Sequence, residues 1–212
     1  MKYIKTFEIK KELTICEELI NAAKRGSGSI KNILKNPKAD VNCTLPGKGY
    51  TSPDQKTPLM HAVFGSYIMA VDTLLKAGAN PNLVDFENRT ALMMSSTMKI
   101  VDKLLEAGAD VNIQSYHDKE TAIMECVRYS VWTVDNMIIL IEKFLEKGLD
   151  LDIKDHKGDN FYDLLNEAIE VEYFISENKV KWCEKLIMYM DDKFPKYKKE
   201  REIKKDMNKY NL

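Results

Sequence analysis

Val101-Asp-Lys-Leu-Leu-Glu-Ala-Gly-Ala-Asp-Val-Asn112 decides how this chain is read. Its apolar residues Val101, Leu104 and Leu105 fall at i, i+3 and i+4, which puts them on one face of a helix. Gly108 then stops that helix, because a residue without a side chain readily takes the left-handed conformation that closes a last turn. The stretch recurs. Val71 to Asn82 reads Val-Asp-Thr-Leu-Leu-Lys-Ala-Gly-Ala-Asn-Pro-Asn, and Ile141 to Asp152 reads Ile-Glu-Lys-Phe-Leu-Glu-Lys-Gly-Leu-Asp-Leu-Asp. A weaker copy runs from Ile30 to Asn42.

A second phrase precedes three of the copies: Thr57-Pro-Leu-Met60, Thr90-Ala-Leu-Met93 and Thr121-Ala-Ile-Met124. Thr57, Thr90 and Thr121 are placed to cap the helix that follows, and Pro58 sits at the first helical position, where its missing N–H costs nothing. Each unit is therefore a helix pair followed by an extended finger. One unit alone cannot bury its apolar face, so neighbours must stack. The copies end at residues 42, 82, 112 and 152, so the intervals are 40, 30 and 40. The third unit is trimmed between its helices, and the fourth carries an insertion near Ser130 to Asp135 that contains Trp132.

In order and in recurrence, the two phrases resemble the ankyrin repeat, with its T-P-L-H-x-A signature. The resemblance covers roughly residues 12–190 and implies an all-α ankyrin-repeat solenoid of five helix-pair units. These fall at about 12–42, 57–82, 90–112, 121–152 and 160–190, the first and last acting as caps. The domain is expected over 1–195, with a basic tail, helical or disordered, over 196–212. Thr14-Ile-Cys-Glu17 reads as a capping box for the first inner helix. Asp155 to Asn160 matches the family's finger turn, with Asn in place of Thr. Asn88 stands where that turn usually has Gly, and tolerates positive φ better than other residues with a side chain. Met60 replaces the usual His. Met93, Met94 and Met98 read as gap-filling core.

The resemblance also implies a job of binding another protein, through the fingers and the concave face of the inner helices. The residues it nominates for partner contact are Tyr50, Phe64, Phe86, Tyr116, His117, Arg128, Tyr129 and His156. Aromatic rings and Arg are the side chains that dominate such contacts. Specificity is expected at the long first finger, Cys43 to Lys56, in the groove, and in the inserted loop at Trp132. Asn82 and Asn112 match finger asparagines that hydroxylases modify in some ankyrin proteins.

The remaining features exclude more than they suggest. The net charge of −1 over 212 residues gives no whole-chain field toward nucleic acid or anionic membrane. Residues 1–11 lack the continuous apolar core of a signal peptide, and no stretch approaches the roughly 20 apolar residues of a membrane span. The expectation is a cytoplasmic protein, with export as an effector left open. Cys16, Cys43, Cys126 and Cys183 form no C-x-x-C and read as buried reduced thiols.

The three histidines, His61, His117 and His156, lie on three different elements with no zinc-ligand spacing. Gly47-Lys48-Gly49 lacks the spacing of a phosphate-binding loop, and no nucleophile motif occurs. The expectation is a monomeric, non-enzymatic protein with no cofactor, no metal and no small-molecule substrate. Its role would be that of an inhibitor or immunity protein, or else of an adaptor or host-directed effector. The alternative of another class is metal binding through the finger His residues, or nucleic-acid binding through the basic tail.

Overall fold

The computed structural model describes residues 14–45, 55–129, 132–170, 177–199 and 202–203. They fall into two compact units, one ending at His117 and one beginning at Asp118.

The first unit holds α1 (residues 14–24), α2 (Ile30–Ile33), α3 (Pro58–Phe64), α4 (Ile68–Lys76) and α5 (Met98–Glu106). Thr14 is the first described residue of α1 and is helical, and the residues before it lie outside the described ones. The Thr57 hydroxyl accepts the Met60 N–H at 3.3 Å, and Pro58 occupies the first turn. At the end of α4, Ala79 N–H reaches the Leu74 carbonyl and Gly78 N–H the Leu75 carbonyl, both at 3.0 Å. This paired closure needs positive φ at its turning residue, and Gly78 and Gly108 stand at +88° and +85°. α4 packs against α2, α3 and α5. Leu19, Ile30, Leu59, Val63, Val71, Leu74, Ile100 and Leu104 are fully buried. In the trimmed third unit the inner helix shrinks to a turn over residues 91–94, where the Thr90 hydroxyl holds the Met93 N–H at 3.4 Å. Met93, Met94 and Met98 are half-buried around it.

The phrase endings have a mechanical reason. Asp40, Asn80, Asp110 and Asp150 each accept, on a side-chain oxygen, the backbone N–H two residues on, at 2.8–2.9 Å. The next residue of interest then reaches across to the following copy. Asn42 Oδ1 accepts the Asn80 N–H at 2.9 Å, and Asn82 Oδ1 accepts the Asp110 N–H at 2.7 Å. Asn82 Nδ2 also donates to the Gly108 carbonyl at 2.9 Å. Asn suits this position because one side chain supplies both an acceptor and a donor.

The second unit holds α6 (Ala122–Tyr129), α7 (Val134–Glu146), α8 (Phe161–Glu170), α9 (Glu177–Lys193) and α10 (residues 195–199). α6 packs on α8, and α9 packs on both α7 and α8. The expected Thr121 cap is absent: its buried hydroxyl has no hydrogen-bond partner. α8 is capped more fully than expected. Asn160 Oδ1 accepts from the Tyr162 and Asp163 amides at 2.9 and 3.0 Å, and Asp163 takes the Asn160 N–H in return at 3.2 Å.

Three further features bear on the expectations. The insertion near Trp132 does not display that residue. α7 runs 13 residues against nine in α4 and α5, so the extra residues lengthen the helix, whose new start is capped by Thr133. Trp132 is only 7% exposed, and its carbonyl accepts the Trp182 indole N–H at 2.9 Å. The expected tail begins as the short helix α10, where Tyr197 is buried and stacks on Tyr162 at 5.6 Å, and most of residues 200–212 lie outside the described ones. And Cys16 of α1 is joined by a disulfide to Cys43, which the chain returns to its side after α2. Only Cys126 and Cys183 are free thiols. No described helix is long and apolar enough to cross a membrane.

Candidate protein-binding site

The fingers are built on one pattern. In the second finger, Asp85 is buried, and its Oδ1 accepts the Glu87 and Arg89 amides at 2.9 Å each. Its Oδ2 takes the Arg89 guanidinium at 3.0 and 3.2 Å. The finger closes through the Val84–Thr90 bridge and the Asp85 N–H to Arg89 carbonyl bond at 3.0 Å. The last finger repeats this around Asp155, whose Oδ1 accepts the Lys157 and Asp159 amides at 2.8 and 3.0 Å. Holding the buried carboxylate at the base turns the following residue outward.

Backbone bonds between neighbouring fingers set the register. Tyr116 N–H donates to the Glu87 carbonyl at 2.7 Å, and His156 N–H donates to the Asp118 carbonyl at 2.9 Å. Ser115 therefore stands in the third finger where Asp85 and Asp155 stand in theirs, and that finger is one residue longer. The residues that follow, Phe86, Tyr116 and His156, are equivalent. Phe86 is 39% exposed, Tyr116 is 69% exposed, and the His156 side chain is 42% exposed. Each described finger carries a ring at the same position along its own turn. His117 packs edge-on against Tyr116 at 5.0 Å. His156 Nδ1 lies 3.2 Å from the Asp118 carbonyl oxygen and 3.9 Å from its carboxylate.

The other nominated residues divide. Phe64, at the end of α3, is 74% exposed. Tyr129 closes α6, its side chain outside the described groups. Tyr50 and most of the first finger lie outside the described residues. Arg128 is committed internally: its guanidinium pairs with Glu120, a carboxylate that is 2% exposed, and Asp155 lies 3.9 Å away. The hydrogen bond from Glu120 raises the Arg128 pKa above its usual value, against an opposing effect of burial. A buried carboxylate needs such a partner, so Arg128 neutralises Glu120 before it can meet anything outside. Sequence reasoning missed this pairing, whose signal was an acid directly before the Thr121 phrase where Lys56 and Arg89 precede the others. Among the described residues no group of three or more His, Cys, Asp or Glu gathers as a metal site would require.

Residues 19–115 match the family model for ankyrin repeats, in three copies. Residues 19–115 are ankyrin repeats. No curated protein matches the chain. Ankyrin repeats generally serve as protein–protein interaction modules, and typically as non-enzymatic ones. The matched residues include two of the three ankyrin finger positions described above that end in an exposed ring; His156 lies beyond them.

Proposed function

We propose that this ankyrin-repeat protein is a non-enzymatic inhibitor that docks on a single partner protein through its fingers. The observation that carries the reading is the exposed ring at one register position, Phe86, Tyr116 and His156. Rings with few rotatable bonds lose little entropy on docking and bury large areas, which is why they anchor interfaces. Phe86 and His156 are each seated on a finger whose backbone is held by a buried carboxylate, so the base is preorganised. Phe64 extends the apolar surface at the end of an inner helix. Arg128 acts in this reading as support for the fourth unit's finger, not as an anchor.

Affinity purification from the native cell tests the proposal. A stable one-to-one complex with one enzyme or toxin, lost on Phe86→Ala/Tyr116→Ala/His156→Ala, is the expected result. Each true anchor should cost about 2 kcal/mol or more. Several scaffold-type partners would replace the inhibitor reading with an adaptor, and a complex untouched by the triple substitution would remove the fingers from the interface.

A further inference from the structure

The outer helices of the first unit carry a second surface of different chemistry. A cleft of about 390 Å³ opens between α2 and α4. Leu34 and Ala77 supply apolar lining, and Lys31, Lys35 and Lys76 stand around it. One acid, Asp72, also lines the cleft, but it is already neutralised: Lys103 contacts it at 2.6 Å and Lys76 at 2.7 Å. Lys31 and Lys35 are exposed and make no ion pair with a described carboxylate. They belong to a longer one-signed run. Between residues 19 and 39 the chain has Lys24, Arg25, Lys31, Lys35 and Lys38 and not a single Asp or Glu. In a chain of net charge −1, such a local excess of cations is a field with a direction. Met69, 76% exposed, sits one helical turn before Thr73 on the same face of α4, and so prolongs the apolar side of the cleft.

We propose that this cleft is a docking surface for an acidic peptide segment of a protein partner, one that carries an apolar side chain between its carboxylates. The carboxylates would meet Lys31 and Lys35, and the apolar side chain would enter over Leu34 and Ala77 with Met69 at its edge. The small apolar-floored volume favours a peptide side chain over a phosphate chain, which would leave that floor uncovered. The surface shares no residue with the fingers and does not depend on them.

The test uses the full chain and a fluorescent synthetic peptide of alternating Glu and Leu, followed by anisotropy at two salt concentrations. The peptide should bind, with affinity falling as salt rises. Lys31→Glu/Lys35→Glu should weaken it on the order of tenfold or more, as expected when charge complementarity is reversed. Phe86→Ala/Tyr116→Ala should leave it unchanged. Amide shifts on peptide addition should cluster at residues 31–35 and 72–77. A Lys–Leu peptide serves as the sign control, and phosphatidylserine vesicles and a single-stranded oligonucleotide as competing anions. Helix content of the charge-reversed variant is checked by circular dichroism, with Lys31→Gln/Lys35→Gln measured in its place if it has dropped. Absence of peptide binding, equal binding by the variant, or tighter binding of vesicles or oligonucleotide through the same lysines would each overturn the proposal.

Discussion

The Tyr197 hydroxyl donates a 2.9 Å hydrogen bond to the Asp152 carboxylate. Asp152 ends the last copy of the repeat phrase, where Asn42 and Asn82 end earlier copies and reach the following one. Here Tyr197 and Lys196 of α10 take the place of that copy, Lys196 at 3.1 Å. A carboxylate suits this position because it now meets a hydroxyl and an ammonium, both donors. The hydrogen bonds from Lys196 and then Tyr197 hold the Asp152 pKa below its usual 3.8. A carboxylate whose folded pKa is depressed contributes stability above the unfolded pKa and loses it as pH falls through the folded one. Wild type should therefore lose stability of the second unit below about pH 4, and Asp152→Asn should lose less over that window. Thermal melts at pH 6 and pH 3 measure it; identical acid sensitivity in the two proteins would show that Asp152 does not hold α10.

Two residues before each helix-starting Thr or Asn, the finger backbone turns left-handed. φ is 37° at Gln55, 58° at Asn88, 51° at Lys119 and 90° at Gly158. A Cβ added at Gly158 would meet nothing within 4 Å, so Gly158→Ala isolates the backbone effect. It should destabilise by about 1–2 kcal/mol, the cost of left-handed geometry for a residue with a side chain. Lys119→Gly should act in the other direction, by less than about 1 kcal/mol, because added freedom in the unfolded chain offsets part of the relief. Denaturant unfolding curves of both variants are the measurement, and a stabilising Gly158→Ala would refute the argument.

These positions also show what the sequence could and could not tell. Asn88 is readable, because Asn is a recognised substitute for Gly at positive φ. Gln55 and Lys119 are not: their conformation is imposed by the finger, and nothing in their chemistry announces it. The helix stops at Gly78 and Gly108 are equally local and equally readable. The burial of Trp132 was not legible, because it depends on the lengthened α7 and on the contact of its carbonyl with Trp182. The Cys16–Cys43 pair joins residues 27 apart, and only the return of the chain past α1 brings them together. For the candidate site, Phe86, Tyr116 and His156 were legible as exposed finger rings. Their equivalence was not, since it depends on bonds between fingers that reveal one extra residue in the third. The pairing of Arg128 was not legible, because its partner, Glu120, is eight residues away and buried.

Tyr67 occupies the space that a side chain at Gly65 would need. A methyl added at Gly65 would collide with ring carbons of Tyr67, although φ there is an ordinary −78°. The glycine is thus required by the ring and not by the backbone. Gly65→Ala should cost about 1–3 kcal/mol, as overpacking does. In a Tyr67→Ala background the same substitution should be nearly neutral, and the double-mutant cycle gives the coupling directly. Additive effects would place the cause elsewhere.

The four cysteines allow a sharper chemical test. Cys183 is fully buried, and burial pushes the Cys126 thiol up to about 12 even though a hydrogen bond with Trp132 works the other way. Thiolate, not thiol, is the nucleophile, so neither should react with an alkylating reagent in the native protein at neutral pH. Cys16 and Cys43 are protected by their bond. Native protein should show no reactive thiols, denatured protein two, and reduced denatured protein all four. Reduction under native conditions should expose Cys16 and Cys43 alone and lower stability by about 3 kcal/mol, through the loop of 27 residues that the bond closes. Four thiols in unreduced, denatured material would mean that the pair is not oxidised where the protein is made.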